Sequence, residues 1–449
     1  MASIAHALAR IKQSPSGLPD RAAILKVCDK LEHRWRDREL DPATTLALFV
    51  QQIIHGNVPC SEVRHIAGKS FSASAYCQAR SRLPLEVCQA MLTKVIDAAM
   101  PATRQPRHLW NGHRVFHIDG STFSMPDTDE LRSVFGGPTG QKPGCGFPVA
   151  HLLVLFSAQT GLLLDAWASR LNTGDMSQVE EAHRHLSAGD VLLGDDTFSN
   201  YAHLALLLQE NLHGVFPVHH LRIVDFAASR PYSCGGKTVI KGLPRSRWIK
   251  SLGKEDQLVE YFKPKEKSAW MSQQQFDALP HSIVVREIRR KVRRPGLKSV
   301  TLTIVTTLLD PKAYPALELI ELRVRRWDVE TNIGHLKTTM KMDVLHCMTE
   351  AGVRKELAIF CLVYNLVRMV MLEAAHRQDV PVDRISFADA LKRMRHARPG
   401  DVMPKLMLVP LRPNRIEPRC KKRRPKQYDL MNKPREELRN ELKRRLKSA

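Results

Sequence analysis

The 449-residue chain, with 43% hydrophobic and 26% charged residues, has the make-up of a globular protein of roughly two to four domains with ample core. Sixty-nine Lys and Arg against 46 Asp and Glu give a net charge of +23 and a pI near 9.8, which points to a polyanionic partner; a merely basic protein of ribosomal type is the alternative. Nine scattered cysteines with no C-x-x-C pair argue against a disulfide framework and for free thiols in a reducing, cytoplasmic compartment. No apolar core of a signal peptide stands at the N-terminus, and the longest apolar stretch, LAIFCLVYNLVRMVMLEAA, is broken by Asn365 and Arg368 and reads as a buried helix, so no membrane partner is expected.

Residues 1–108 read as helical, a possible DNA-end-binding domain. DRAAILKVCDKLEHRWR and DPATTLALFVQQIIHG have helical apolar spacing, and Asp41-Pro42 supplies an N-cap and N1 pair. CSEVRHIAGKSFSASAYCQARSRLP reads as two short helices about Gly68, with Arg80 and Arg82 on the second. This suits a helix-turn-helix on DNA or an ordinary packing unit. From residue 109 the pattern turns to strands. HRVFHID, FPVAHLLVLFSA and GLLLDAWASRL are followed by the helical MSQVEEAHRHL behind Asp175, the short strand DVLLGDD, the helix NYAHLALLLQENL and the strand GVFPVHH. The order β-β-β-α-β-α-β is that of an α/β, ribonuclease-H-like mixed sheet, here over residues 109–220 and 311–376. Between them, residues 221–310 read as a β-rich insertion containing KTVIKG, LVEYF, HSIVVREIRRKV and SVTLTIVTTLL. A long helix is expected after Pro315 and a second over VRKELAIFCLVYNLVRMVMLEAAH. The region 377–449 is basic: from Leu411 onward fifteen Lys and Arg face five acids, including RCKKRRPK, a tail suited to nucleic acid.

Three acids stand at telling places. Asp119 ends the first strand, Asp195 ends the fourth, and Glu330 lies on the long helix. In such a sheet the first and fourth strands are neighbours, so their ends bring Asp119 and Asp195 together. Two adjacent carboxylates repel unless a proton or cation intervenes. Mg²⁺, with Mn²⁺ as substitute, is the natural partner of oxygen ligands and phosphate, and a pair of such ions suits phosphodiester chemistry. Each acid also has an ordinary reading: Asp119 as a turn residue before Gly120, Asp195 as a helix cap, Glu330 as a surface residue. Around Glu330, the positions Arg323, Arg326, Glu330 and Lys337 fall on one side of a helix, opposite the apolar Val329, Ile333, Leu336 and Met340.

The stretch RVRRWDVETNIGHLK resembles the Y-x2-R-x3-E-x6-K signature of the DDE transposases of bacterial insertion sequences, the group that cuts through DNA hairpins. Arg326, Glu330 and Lys337 take the R, E and K positions, and Arg323 stands where the signature has tyrosine. HIDGSTFSMPDT, GFPVAHLLVLFSAQTGLLL, IVTTLLDPKAYPALELIELRVRRWDVETNIGHLKTTMKMDVLHC and VRKELAIFCLVYNLVR extend the resemblance over most of residues 70–375. It implies a metal-binding catalytic triad of Asp119, Asp195 and Glu330. The residue after the second acid is usually arginine in that group and here is Asp196; Asp195 is preferred because it follows directly on VLLG. The resemblance further implies contacts of Arg323, Arg326 and Lys337 to the DNA backbone, and double-stranded transposon ends and target DNA as partners. A homodimer on DNA and cut-and-paste transposition through a hairpin are also implied. Hairpin formation calls for an aromatic to stack a flipped base, for which Trp248, Phe262 and Trp270 are candidates; each reads equally well as a packing residue. The rival readings are a DNA-binding derivative that no longer cuts and a ribonuclease-H-like repair nuclease.

Overall fold

A computed structural model describes residues 21–36, 38–138, 140, 142, 145–233, 242–292, 299–396, 404–411 and 433–448. Five helices lead: α1 (Arg21–Lys30), α2 (Pro42–Ile54), α3 (Cys60–Ala67), α4 (Ala73–Arg82) and α5 (Leu85–Thr103). The Asp41 side chain accepts from Thr44 N at 2.7 Å, so α2 begins at the N-cap and proline that its sequence advertises. Gly68 ends α3 in the left-handed conformation. The helix-turn-helix reading of this pair is not carried by Arg80. Its guanidinium lies 3.8 Å from the centroid of the Phe49 ring and donates to Gln52 Oε1 at 2.9 Å and Cys347 Sγ at 2.8 Å, so it faces the protein interior.

Among the described residues, nine strands form one sheet in the order β3-β2-β1-β4-β5-β9-β8-β7-β6. β1 (Val115–Ser124), followed by the short α6 (Asp129–Phe135), pairs antiparallel with β2 (Val149–Ser157), and β2 with β3 (Leu163–Arg170). A helical turn at Asp175–Gln178 and α7 (Val179–His183) cross to β4 (Val191–Leu193), parallel to β1. After α8 (Tyr201–Gln209), β5 (His213–Pro217) lies parallel to β4. Three antiparallel strands followed by two parallel ones, with helices at the crossovers, is the ribonuclease-H-like arrangement. β6 (Ser246–Gly253), β7 (Asp256–Phe262), β8 (Ser282–Val292) and β9 (Val300–Thr306), with α9 (Gln273–Ala278) between β7 and β8, extend the same sheet, because β9 returns antiparallel to β5. KTVIKG falls almost wholly outside the described residues, as does RCKKRRPK.

β1 does not stop at Asp119. Pairing with β2 runs on from Asp119↔Val154 to Ser124↔Val149, so Gly120 lies inside the strand, and only the pairing to β4 ends earlier. The predicted single helix after Pro315 is three segments: α10 (Ala316–Val324), α11 (Trp327–Gly334) and a wide helical turn, His335–Thr339, with hydrogen bonds of π type. Val329, Leu336 and Met340 of this run are buried, and Ile333 packs against the same core.

α12 (Glu350–Gln378) is long and apolar enough to cross a membrane, yet 83% of its most apolar window is buried among the protein's own elements. It packs on the sheet face formed by Leu152, Val154 and Phe156, while the alternate residues Leu153 and Leu155 face α7 and α8. Its two polar interruptions have partners. Asn365 accepts from Leu163 N at 2.9 Å and donates to Leu163 O at 2.8 Å, completing the outer edge of β3. Arg368 donates to Thr160 O at 2.6 Å, beside a Gly161 with φ +66°; a Cβ at Gly161 would meet the guanidinium at 1.9 Å. Glu356 accepts from His346 N, Cys347 N and Asn57 Nδ2, and so ties the segment after the wide turn to α12 and the N-terminal helices. The described chain closes with α13 (Phe387–His396) and α14 (Arg435–Ser448).

Candidate active site

The sheet register creates the site. His117 of β1 lies opposite Leu193 of β4 in parallel pairing, so two residues further along each chain Asp119 and Asp195 stand level at the carboxyl end of β4. Burial is the main reason the Asp119 carboxyl is pushed up to about 6; Arg326 opposes that shift, and Asp195 and Asp175 add to it. Asp195 is also raised by burial, with Asp175 a further cause. Asp195 caps the next turn by accepting from Thr197 N at 2.9 Å, so its ordinary role and its place in the acid group coexist.

Asp196 points elsewhere. His220 Nδ1 lies 3.2 Å from its Oδ2, and the His219 and His220 rings stack at 4.3 Å. Possible ligand atoms of Asp196, His219 and His220 all lie within 4.8 Å of one another, a nitrogen-rich set that suits a transition metal better than Mg²⁺. Of the two adjacent acids, Asp195 is the one that shares space with Asp119.

Glu330 enters through Arg326. The guanidinium donates to Asp119 Oδ2 at 3.0 Å and reaches Glu330 Oε1 at 3.5 Å, so one cation sits between the two acids. The Glu330 side chain is 62% exposed, against 15% for Asp119, and it faces outward at the rim. Lys337, on the wide turn, donates to Ser121 Oγ at 3.2 Å. Asp119 and Ser121 share one face of β1, so the charged stripe of the sequence lies along the strand instead of simply facing water. Arg323 adjoins Asp195, Asp119 and Asp196. Burial pulls its pKa down to about 10, and the neighbouring Arg326 adds to that, so it stays charged at neutral pH. Its Nε and that of Arg326 are buried with no hydrogen-bond partner among the described residues. His117, two residues before Asp119, is fully buried, and neither ring nitrogen has a partner among the described residues. Burial and the nearby Arg326 hold its pKa at about 3, so it is neutral and adds no charge.

Two residues on the face of β1 opposite Asp119 escaped the sequence reading. Asp175, expected only to precede a helix, lies against Gly120, where a Cβ would fall 2.3 Å from its Oδ1; His151 Nε2 holds that oxygen at 2.5 Å. A signal was available: a glycine directly after a strand acid leaves room for a neighbour. Of the three aromatics, Phe262 stacks on Tyr232 at 6.0 Å and Trp270 packs on the core beneath α8, both internal uses. Trp248 is half-buried with its Nε1 enclosed and without a partner among the described residues.

The donor chemistry fits divalent ions. Asp119 and Asp195, both with raised proton affinity, stand level at the end of β4, and a hard dication between them would relieve their repulsion.

The chain is 25% identical over 403 residues to the transposase InsG for insertion sequence element IS4 of Escherichia coli (strain K12), covering 85% of this chain and 84% of that protein. It is 26% identical over 147 residues to the putative transposase InsZ of the same organism, covering 32% of this chain and 49% of that protein. Among solved structures, the piggyBac transposase synaptic complex with hairpin DNA aligns with 86% of this chain and 76% of its own, at 11% identity and a TM-score of 0.39. The profile of the transposase DDE domain matches residues 110–366, more than half of the chain, from just before β1 into α12, a span that includes the acids. The chain therefore belongs to the DDE-domain transposase family and is a DNA-cleaving transposase.

Proposed function

We propose that this transposase binds the terminal inverted repeats of its insertion sequence as a dimer, frees a 3′-hydroxyl at each end and joins the ends to target DNA. Asp119, Asp195 and Glu330 would hold Mg²⁺ or Mn²⁺. The observation that carries this reading is the level placement of Asp119 and Asp195 at the end of β4, with Glu330 across the Arg326 guanidinium. Ions bound there supply activation of the attacking hydroxyl and stabilisation of the leaving oxygen. The chain's residues do the rest. Burial of Asp119 keeps water from screening the site. Arg326 and Arg323, each with an Nε that has no partner among the described residues, would clamp the phosphates flanking the scissile bond. Lys337 neutralises a further phosphate as a point charge beside Ser121. Each step is an in-line displacement at phosphorus, so a single site serves hydrolysis, hairpin formation and strand transfer.

The test is nicking of DNA that carries the element's inverted repeats, in Mg²⁺, Mn²⁺ or EDTA. Cleavage is expected with either ion and none with EDTA. Glu330→Gln is expected to bind the ends and leave them uncut. Normal cutting by that variant removes Glu330 from the site, and end binding without cutting by the natural chain favours a DNA-binding derivative.

A further inference from the structure

We infer that His203, held from behind by His183, is a positioning residue for Asp195: it fixes the turn that this acid caps. This rests on the reading of Asp195 as an ion ligand. His203 lies in the first turn of α8 and His183 ends α7, and both rings are buried. His203 Nδ1 stands 2.7 Å from the carbonyl oxygen of Phe198, in the turn Asp196–Ser199. A carbonyl only accepts, so the ring proton is on Nδ1. Burial, with His183 a further cause, pulls the His203 pKa down to about 3, so the ring is neutral and its Nε2 carries a lone pair. His183 Nε2, 3.1 Å away, is then the donor to that lone pair. The other His183 nitrogen, Nδ1, lies at ion-pair distance, 2.9 Å, from Glu210 Oε2 at the end of α8. The donors thus run in one direction, from His183 through His203 to the backbone of the turn.

The sheet does not hold this stretch. β4 is only Val191–Leu193, and its pairing with β1 and β5 ends at Leu193, two residues before Asp195. Phe198 takes over. Its carbonyl is bound by His203, and its buried ring lies against the residue before Asp195, where a Cβ on Gly194 would meet the ring at 2.5 Å. Between these two points Asp195 accepts from Thr197 N at 2.9 Å. On the outer side Ser199 Oγ donates to Asp196 O at 2.7 Å and accepts from His219 N at 3.2 Å. His203 is the buried tie of the same turn. Its ring also packs on Phe198 and Phe216, with centroids 5.7 and 5.4 Å away, so simple space filling is the competing role.

Two substitutions separate the hydrogen bond from the packing. His203→Asn offers an amide N–H where Nδ1 stands but fills less space, whereas His203→Leu fills the space and donates nothing. Mn²⁺ binding to the full-length protein without DNA is followed by electron paramagnetic resonance. His203→Leu is expected to weaken it about 10-fold or more, as loss of an outer partner of a metal ligand commonly does, while His203→Asn stays near the natural affinity. The Mg²⁺ needed for half-maximal cleavage should rise in the same order. Equal Mn²⁺ affinities in both variants, or weaker binding by His203→Asn than by His203→Leu, overturn the proposal. Nitrogen-15 resonance of the histidine rings in the natural chain decides the question without substitution should either variant not fold. His203 is expected as the Nδ1–H tautomer; a proton on Nε2 alone leaves no donor for Phe198 O and overturns the proposal. Failure of the underlying reading shows separately, as Mn²⁺ binding that Asp195→Asn leaves unchanged.

Discussion

Asp119→Asn is expected to make the metal-free protein more stable while abolishing its activity. The carboxyl's pKa rises from 3.8 to about 6 because burial outweighs the nearby Arg326 guanidinium. A shift of ~2 units at about 1.4 kcal/mol each corresponds to about 3 kcal/mol. The native state holds this proton more tightly than the unfolded chain does. Stability contributed by the protonated acid is therefore present below about pH 4, falls as pH rises through about 6, and is gone above that, where the full penalty applies. Asparagine keeps the acceptor for Gly120 N, 3.1 Å away in the natural protein, and carries no charge to bury. In EDTA at pH 7 the variant should resist urea by about 3 kcal/mol more than the natural chain, and the two should converge near pH 4. Saturating Mn²⁺ should narrow the gap at pH 7, because ions bind and stabilise the natural chain preferentially. A variant equal to or weaker than the natural protein in EDTA at pH 7, or one with the same pH slope between 4 and 6, would refute the reasoning.

The same carboxyl shapes the pH dependence of cutting. Ion binding needs Asp119 ionised, so cleavage at limiting Mg²⁺ should rise through about pH 6, which a pH–rate profile would show. Lys355 donates to the carbonyls of Arg80, Ser81 and Leu83 at the C-terminal end of α4; Lys355→Met should cost about 2–4 kcal/mol in urea unfolding by leaving them buried and unpaired. Asn365→Leu should destabilise by about 2–4 kcal/mol, because both Leu163 backbone groups lose their partner, and proteolysis should then open the β3 edge first.

The sequence announced the sheet wherever short apolar runs were bounded by turns. The crossover order β-β-β-α-β-α-β indicated which strands are neighbours, and hence that Asp119 and Asp195 come level beside the end of β4. β6 was not readable, because SRWIKSLG mixes charge and small residues and most of it is exposed at the sheet's edge. The end of β1 was misplaced since Gly120 looked like a turn, whereas long-range pairing with β2 holds it in the strand. The spacing of Arg326, Glu330 and Lys337 placed these side chains on one face, but helical periodicity says nothing about breaks such as the interruption at Arg325–Arg326 and the wide turn at His335–Thr339. Asp175 was hidden for a different reason: its position is set by contacts with Gly120 and His151, which local pattern does not encode.

The central claim, that Asp119 within β1 and Asp195 after β4 hold the ions that cut DNA, is tested most directly by exchanging a ligand. Asp195→Cys replaces a hard oxygen with a softer sulfur that Mg²⁺ binds poorly and Mn²⁺ tolerates. Cleavage of end-bearing DNA by this variant should be lost in Mg²⁺ and recovered in part in Mn²⁺, while the natural chain cuts in both. Equal cutting by the variant in the two ions would contradict the account.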